Sequence, residues 1–232
     1  GRNRVAIFAI VLTTLMFTAL FVLTQSMEGN MRQMLFRQSG YDAHASFKSI
    51  TDAEIDQLAA NPDIKELGRS IVVSLAENPA LSGRQVEIRY GDESYASHSF
   101  ALPTTGRMPE SMDEIALDDI TLNRLGVPQE IGQQITIEWR SDFSVEELTE
   151  TTFTLCGFWE GNASGYASMA WVSEDFALEA CGGAEVPAPN SSAGMRMAQV
   201  TLPTDSDIAG DVDRILADAG LSGLDYGVNM AY

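Results

Sequence analysis

Basic residues are scarce in this chain. Of its 232 residues, 14 are Lys or Arg and 33 are Asp or Glu, which gives a formal net charge of -19. Proteins that bind nucleic acid need a basic face that displaces counterions from the phosphates. So few cations among so many carboxylates cannot form such a face. The composition therefore argues against nucleic acid and other polyanions as partners.

Cysteine is also rare, with Cys156 and Cys181 as the only two. This number fits an exported domain that folds mainly on its own hydrophobic core, and 45% of the residues are hydrophobic. A disulfide between the two cysteines would close a loop of about 25 residues and stabilise the fold by roughly 3 kcal/mol. We take this pairing as a hypothesis, with two buried thiols as the alternative.

Familiar catalytic and cofactor motifs are missing. The sequence contains no G-x-S-x-G, no G-x-x-x-x-G-K-[ST] and no G-x-G-x-x-G, so neither a serine nucleophile elbow nor a nucleotide-binding loop is encoded. The two histidines, His44 and His98, lack the spacing of a metal pair, and we expect both to be structural. We therefore predict no catalytic residues, no bound cofactor and no enzymatic activity.

One acidic segment, DSDIAGDVD, resembles the first part of a calcium-binding loop. Ala209 and Leu216 occupy positions at which such a loop needs ligands. A helix whose first turn is capped by Thr204, Asp205 or Ser206 explains the acids better. We therefore predict no metal site.

A long uncharged apolar run, VAIFAIVLTTLMFTALFVLT, lies between Arg4 and Gln25. Twenty helical residues span roughly 30 Å, the hydrocarbon thickness of a bilayer. A cleaved signal peptide is the main alternative, but its apolar segment is shorter, about 7 to 15 residues. Arg2 and Arg4 precede the run, so the positive-inside rule places the N-terminus in the cytoplasm. We predict a membrane protein with residues after about 25 extracytoplasmic.

The charge distribution agrees with two environments. Residues 1–50 have five basic and two acidic side chains, a balance of +3, and residues 51–232 have nine basic and 31 acidic ones, a balance of -22. After the apolar run, an amphipathic pattern continues to Gly40 through Met27, Met31, Met34 and Leu35. This pattern predicts a stalk helix whose apolar stripe packs on its own domain or on another membrane-anchored helix.

The remaining sequence predicts an α+β fold in which two similar halves flank an insertion. Strand, helix and strand patterns occur in 41–83 and again in 193–232, and we assign these to one split βαβ-type subdomain. Thr51 and Glu54 have the spacing of a helix capping box. The second unit has a helix whose apolar face comprises Ile208, Val212, Ile215 and Leu216. The full division is a transmembrane helix with a short cytoplasmic flank at 1–25, a stalk at 26–40, the split subdomain, and an inserted β-rich subdomain at 84–192.

Short strands and turns dominate the inserted segment, and Gly91-Asp92 predicts a hairpin connection. Its aromatic side chains include some that are candidates for a binding surface, although core packing is the more common role of such residues. The candidates are Trp139, Phe143, Trp159 and Tyr166. We likewise interpret Met195 and Met197 as core residues rather than metal ligands.

The segment GRMPESMDEIALDDITLNRLGVPQEIGQQITI, residues 106–137, resembles the extracytoplasmic core domain of MacB-like and FtsX-like ABC transporter permeases. That family commonly shows G-R-x-P, then E-I-x-L, then L-G-x-x-x-G-x-x-I, and this chain has one extra residue between the last two glycines. The matching positions, to which the resemblance gives a structural role, are Gly106, Arg107, Pro109, Glu114, Leu125, Gly126 and Gly132.

The resemblance implies a permease subunit that couples cytoplasmic ATP hydrolysis to export, or to work outside the membrane, by mechanical transmission. It implies a cytoplasmic ABC ATPase, a second permease protomer in a homodimer or heterodimer, membrane lipid, and an unidentified peptide, lipid or protein substrate as partners. The resemblance also implies a bacterial cell membrane as the location, and further membrane spans are expected beyond these residues. A membrane-anchored sensor domain of a signalling receptor is the alternative, and an anchored enzyme is a third class.

Overall fold

The computed structural model describes residues 2–163, 165 and 167–232, including all their side chains except those of Arg2 and Glu28. A single long helix, α1, precedes a mixed α/β domain, so the predicted α+β class is confirmed. In chain order the elements are α1 (Arg2–Ser39), β1 (Ala45–Lys48), α2 (Asp52–Ala59), β2 (Glu66–Leu75), a 3-10 turn (Pro79–Leu81), β3 (Gln85–Gly91), α3 (Glu93–His98), β4 (Thr105–Gly106), β5 (Glu114–Asp118), α4 (Asp119–Leu125), β6 (Gln134–Trp139), β7 (Thr149–Trp159), β8 (Ala167–Val172), α5 (Glu174–Ala180), β9 (Arg196–Thr201), α6 (Ile208–Asp218) and β10 (Tyr226–Val228).

Helix α1 continues without interruption from the apolar run through the predicted stalk. The hydroxyls of Thr13, Thr14 and Thr24 donate to the carbonyls four residues earlier at 2.7, 2.9 and 2.9 Å. This back-bonding satisfies a hydroxyl that would otherwise face hydrocarbon. The helix ends before Gly40, whose φ of +87° is a conformation that glycine adopts readily.

One sheet connects the two regions that we predicted as separate subdomains. Its strand order is β10-β1-β9-β2-β3-β8-β5-β7-β4, and β6 pairs with β7. Most neighbouring strands are antiparallel, whereas β3 with β8 and β5 with β7 are parallel. The sheet is continuous where β2 pairs with both β9 and β3. The division into a split subdomain and an insertion remains a prediction.

The predicted helix caps and apolar faces can be compared directly with the structure. Thr51 and Glu54 form the predicted capping box at the start of α2. The four residues predicted to face inward from α6 are all buried. The predicted cap of α6 is wrong by one residue, because Asp207 accepts the hydrogen bond from the Gly210 amide.

Two hydrophobic clusters lie on one face of the sheet. One is formed by α2, α6 and the outer strands, and the other by α4, α5 and strands β2 to β8. A third cluster lies around Trp171 on the opposite face, together with α3. The cross-strand register from β1 through β9 and β2 to β3 keeps Lys48, Met197 and Arg89 on this second face.

The predicted hairpin at Gly91-Asp92 is wrong, because the chain forms helix α3 after β3. Asp92 caps this helix by accepting a hydrogen bond from the Tyr95 amide at 2.7 Å. Tyr95 and Ala96 are buried on the second face of the sheet. The short helix is therefore stabilised by its cap and by tertiary packing, which the Gly-Asp pair does not reveal.

The disulfide between Cys156 and Cys181 is not formed, and both residues are free thiols. Cys156 lies on β7, where its sulfur contacts the carbonyls of Arg107 and Ile115 at 3.5 and 3.3 Å. Burial raises its pKa to about 12. Cys181 ends α5 and contacts the Leu178 carbonyl. The two sulfurs therefore pack against different partners. The alternative of two buried thiols holds for Cys156 only, since Cys181 is partly exposed.

Candidate functional site: the junction of the long helix and the domain

The first part of α1 exposes apolar side chains on every side. Large residues from Val5 to Leu23 are 49% to 70% exposed. Among the described residues, α1 is the one helix long and apolar enough to cross a membrane. A helix that is hydrophobic all round needs an apolar environment outside the chain itself.

The stalk part of α1 is also largely free of the domain. Met27, Met31, Met34 and Leu35 are between 44% and 67% exposed. Of the two partners that we considered for this stripe, the chain's own domain is therefore not the one seen in the structure. Arg32 adds an exposed ion pair with Asp205 at 3.7 Å.

Contacts between helix and domain are concentrated in the last turn of α1. The ring of Phe36 packs on Tyr232, with centroids 4.9 Å apart. The Arg37 guanidinium lies 5.3 Å from the centre of the Phe100 ring, and the Arg37 carbonyl accepts a hydrogen bond from the Asn162 side chain at 3.0 Å. Segments distant in sequence thus meet where the helix ends.

His98 and two carboxylates hold the segment that follows α1. His98 lies 2.6 Å from Asp42 and 3.2 Å from Glu66 through its two ring nitrogens. The hydrogen bond to Asp42 is the main reason that the pKa of His98 is raised. Tyr232 also donates to the Asp42 carbonyl at 2.6 Å. His98 therefore has two acidic partners that are distant in sequence, and its structural role stays a prediction.

The second histidine also lies at this junction, in a different environment. His44 is buried, and its Nδ1 accepts a hydrogen bond from the Leu202 amide at 2.7 Å. Burial lowers the pKa of His44. Its ring packs edge-on against Tyr232 at 4.2 Å. A neutral imidazole is therefore favoured at this position.

A cavity of about 240 Å³ lies beneath the end of α1. Its floor is the second face of the sheet, and its roof is formed by 37–41 and the loop after α3. Residues that line it include Arg37, Lys48, Glu87, Arg89, Phe100 and Gln199. Polar side chains lie on this face at the centre of the sheet because Gln85, Glu87 and Arg89 alternate with the core residues of β3.

The charges of this cavity are partly paired. Glu87 forms a close ion pair with Arg89, whose Nη1 also lies 2.9 Å from the Met197 sulfur. Asp118 accepts a hydrogen bond from the Ser168 hydroxyl and lies 3.9 Å from Arg84. The cavity is therefore polar and structured, and it touches the last turn of α1.

The segment that carried the family resemblance begins with a compact turn at the other end of the sheet. We call this turn, residues 106–114, the clasp. Arg107 donates to both carboxylate oxygens of Glu114 at 2.8 and 2.5 Å, and the amides of Glu110 and Ser111 donate to the same group. These bonds, led by the one from Arg107, lower the pKa of Glu114 to about 2. Gly106 has a φ of +78°, and a Cβ there would lie 2.1 Å from the Cys156 carbonyl.

The other motif positions also have structural places. Pro109 is buried in the clasp. Leu125 is partly buried and packs against the hydrophobic cluster formed by α4, α5 and strands β2 to β8. Gly126 ends α4 in the left-handed region at φ +68°, and the Gly132 amide donates to the Leu155 carbonyl at 2.8 Å. These positions lie away from the cavity, and the functional role of the motif stays a prediction.

The remaining candidates from sequence separate into core and surface. Trp139 and Trp159 are buried, as is Met197, whereas Phe143 is 44% exposed. Tyr166 lies outside the described residues. In the described ranges, no group of three or more His, Cys, Asp or Glu side chains is placed to hold a metal ion.

The cavity residues were missed by the sequence reasoning. A signal was present, since Gln85, Glu87 and Arg89 follow the period of a strand and place three polar side chains on one face. The pairing of those residues with Lys48 and Gln199 depends on strand order and cannot be read from spacing.

No protein-family model and no curated protein matches this chain. Its fold is similar to several solved structures. The extracellular domain of the noncanonic ABC-type transporter YknZ from Gram-positive bacteria matches at 13% identity and a TM-score of 0.49, over 81% of this chain and 99% of that one. The periplasmic region of MacB from Actinobacillus actinomycetemcomitans matches at 12% identity and a TM-score of 0.49, over 82% and 90%.

A domain of a Porphyromonas gingivalis protein described as a permease is also similar, at 10% identity and a TM-score of 0.44, over 78% of this chain and 72% of that one. At these identities the three matches are similarities of fold.

Proposed function

We propose that this chain is the extracytoplasmic part, with the preceding membrane helix, of an ABC transporter permease subunit. In this role α1 relays movement between the bilayer and the external domain, while a separate cytoplasmic ATPase hydrolyses ATP. The chain itself acts as a mechanical element rather than an enzyme. Export of a substrate and activation of an external partner are both compatible with such a relay.

The observation that most supports this proposal is the continuity of α1. The helix extends from Arg2 to Ser39, about 57 Å at 1.5 Å per residue. An unbroken hydrogen-bond ladder transmits tilt along its whole length, whereas a kink or loop would absorb it. Because the domain contacts concentrate around Phe36 and Arg37, a tilt of the helix would act on the domain at one point.

The end of the described chain gives further support. The side chain of Asn229 donates to the carbonyls of Tyr41 and Ala43 at 2.9 and 3.1 Å, and Tyr232 packs on Phe36. The first and last segments of the domain therefore meet at the base of the stalk.

The exposed stalk stripe supports a partner within the membrane assembly. Four apolar side chains at three- and four-residue spacing, Met27, Met31, Met34 and Leu35, remain exposed to solvent. A second permease protomer with a similar helix would cover them. The N-terminal arginines precede this stripe in the sequence, and the acidic residues 51–232 follow it. This order fits an external domain.

The relay is tested by breaking the helix between membrane and domain. We would express the full reading frame with the ABC ATPase encoded beside it, purify the complex in lipid nanodiscs, and measure amide hydrogen exchange with and without ATP and vanadate. In the unmodified protein, exchange in 38–44 and 226–232 should change on nucleotide trapping. The substitution Met31→Pro should abolish this change, since proline removes a backbone hydrogen bond and kinks the helix.

The matched control is Met31→Ala, which removes the same side chain and keeps the hydrogen-bond ladder. It should retain the nucleotide-dependent change, and both variants should retain the domain's unfolding midpoint. A Met31→Pro complex with an unaltered exchange response would refute the relay. Failure of the protein to associate with any ATPase would refute the permease assignment as a whole.

A further inference from the structure

Two cations at the cavity have no acidic partner. In this acidic chain most basic side chains lie within 4 Å of a carboxylate. Among the described side chains after Arg4, the exceptions are Arg37, Lys48 and Arg124. Arg37 and Lys48 both line the cavity under the end of α1. Two positive groups without a carboxylate partner in the described chain therefore share one space.

The carboxylates of the cavity do not compensate these two cations. Glu87 forms an ion pair with Arg89, and Asp118 lies 3.9 Å from Arg84. Every oxygen of both carboxylates already has a hydrogen-bond or ion-pair partner within the domain. Arg37 and Lys48 therefore give the cavity a positive charge, although the whole chain has a net charge of -19. A local field of this sign attracts anions.

An apolar wall lies next to the cations. The ring of Phe100 is half-buried, with its centre 5.3 Å from the Arg37 guanidinium carbon, and Met169 lines the same space. The Phe100 amide donates to the Ser97 carbonyl at 3.1 Å, and the Trp171 indole donates to the carbonyl of the following residue at 2.7 Å. These bonds hold the wall in place. The cavity thus combines a positive charge with a preformed apolar surface.

We propose that this cavity binds a small organic anion, a carboxylate attached to an apolar body. Lys48 and Arg37 donate hydrogen bonds to the carboxylate, and the apolar body packs on Phe100 and Met169. A volume of about 240 Å³ is below the range of drug-sized pockets and limits the ligand to a small molecule. Because Arg37 belongs to α1 and Lys48 to β1, the bound anion connects the stalk to the sheet. This role goes beyond the proposed transport function and does not depend on it.

The test uses the fact that Lys48 and Lys65 are the only lysines in the chain. The full chain in detergent micelles is treated briefly with trace amine-reactive ester, and mass spectrometry gives the labelling ratio of Lys48 to Lys65. The probes are 3-phenylpropionate and hexanoate. The controls are 3-phenylpropanamide, which has the apolar body without the charge, and inorganic phosphate, which has the charge without the body. All are used at one pH and one ionic strength, since salt screens exposed charges.

We expect both carboxylates to lower the ratio at least about threefold, because an ammonium group bound to a carboxylate is protected from the reagent. The same concentration of either control should change the ratio by less than about 1.5-fold, since each lacks one of the two recognised groups. An unchanged ratio with both carboxylates would overturn the proposal. Equal protection by phosphate would overturn the apolar body, and equal protection by the amide would overturn the anion.

Affinities for 3-phenylpropionate, measured by calorimetry in matched variants, complete the test. Lys48→Met and Arg37→Met should each weaken binding about tenfold, because each removes a charged hydrogen-bond donor. Both side chains are exposed, so the fold should be kept, and circular dichroism checks this. Arg124→Met is the control, because Arg124 also has no carboxylate partner but does not line the cavity. Unchanged binding in the first two variants, or an equal loss in the third, would overturn the site.

Discussion

The long helix and the sheet domain are stabilised in opposite ways. In α1, apolar side chains from Val5 to Leu23 are exposed, and the backbone hydrogen bonds are satisfied within the helix. In the domain, residues such as Trp171 and Phe153 are almost fully buried among strands distant in sequence. The helix therefore depends on its surroundings, whereas the domain depends on its own packing.

This difference predicts which property a substitution in each region should change. A change in the apolar part of α1 alters contacts with lipid or a partner, and a change in the domain alters its unfolding free energy. The two can be separated because the three tryptophans, Trp139, Trp159 and Trp171, all belong to the domain. Their fluorescence during urea unfolding of the full chain in micelles reports on the domain alone.

The largest expected effect is that of Trp171→Ala. This side chain is fully buried, donates to the Ala101 carbonyl at 2.7 Å and packs edge-on against Tyr95. Its removal should lower the unfolding free energy by about 3–5 kcal/mol, measured by the fluorescence of the two remaining tryptophans. The control Phe17→Ala should change it by less than about 0.5 kcal/mol. A comparable loss in both variants would break the contrast between helix and domain.

The next effect concerns the clasp, through Gly106→Ala. The left-handed φ of +78° and the 2.1 Å approach of a Cβ to the Cys156 carbonyl both oppose a side chain. We expect a loss of about 2–4 kcal/mol in the same urea experiment. Gly223 has open space around it, so Gly223→Ala should be nearly neutral. Equal effects of the two substitutions would contradict the geometry of the clasp.

A smaller effect should follow from Glu114→Gln, which removes the ion pair with Arg107. We expect about 1–2 kcal/mol, since Arg107 is partly exposed to solvent. The folded-state pKa of Glu114 is about 2 against an ordinary value of 4.5. The wild-type advantage should therefore be complete above pH 4.5 and disappear as the pH falls towards 2. Glu110→Gln, at an exposed position, should leave the stability almost unchanged at every pH.

The smallest effect lies at the joint of helix and domain, where Asp42 raises the pKa of His98. A raised pKa means that this stabilisation is complete below the ordinary value near 6.5 and is lost as the pH rises through the folded-state value. We expect a loss of at most about 1 kcal/mol from unfolding curves at increasing pH. His98→Gln should remove this dependence. The lowered pKa of His44 acts in the opposite direction, and a slope that persists in His98→Gln would assign the effect elsewhere.

Sequence periodicity predicted the elements whose stability is local. The apolar run defined α1, the Thr51 and Glu54 pair defined the start of α2, and the spacing from Ile208 to Leu216 defined the buried face of α6. These signals act within one turn or one helix, so they do not depend on the rest of the fold. The hairpin at Gly91-Asp92 failed because the packing of Tyr95 on the sheet decided that segment.

The candidate site was mostly beyond such reasoning. Lys48 and Gln199 lie on strands that are adjacent in space but about 150 residues apart in the chain. Their meeting with Arg89 depends on the central position of β2, which pairs with both β9 and β3. The same holds for His98, whose acidic partners Asp42 and Glu66 come from two other segments.

A long apolar helix, an acidic α+β domain and the resemblance in 106–137 could be read from the amino-acid order, because charge, hydrophobicity and helix capping act over short distances. The folded chain was needed to show that the two cysteines stay apart, that one sheet joins both halves, and that a polar cavity lies under the end of α1. Strand order and register set those outcomes, and they follow from the packing of the whole chain rather than from any single segment.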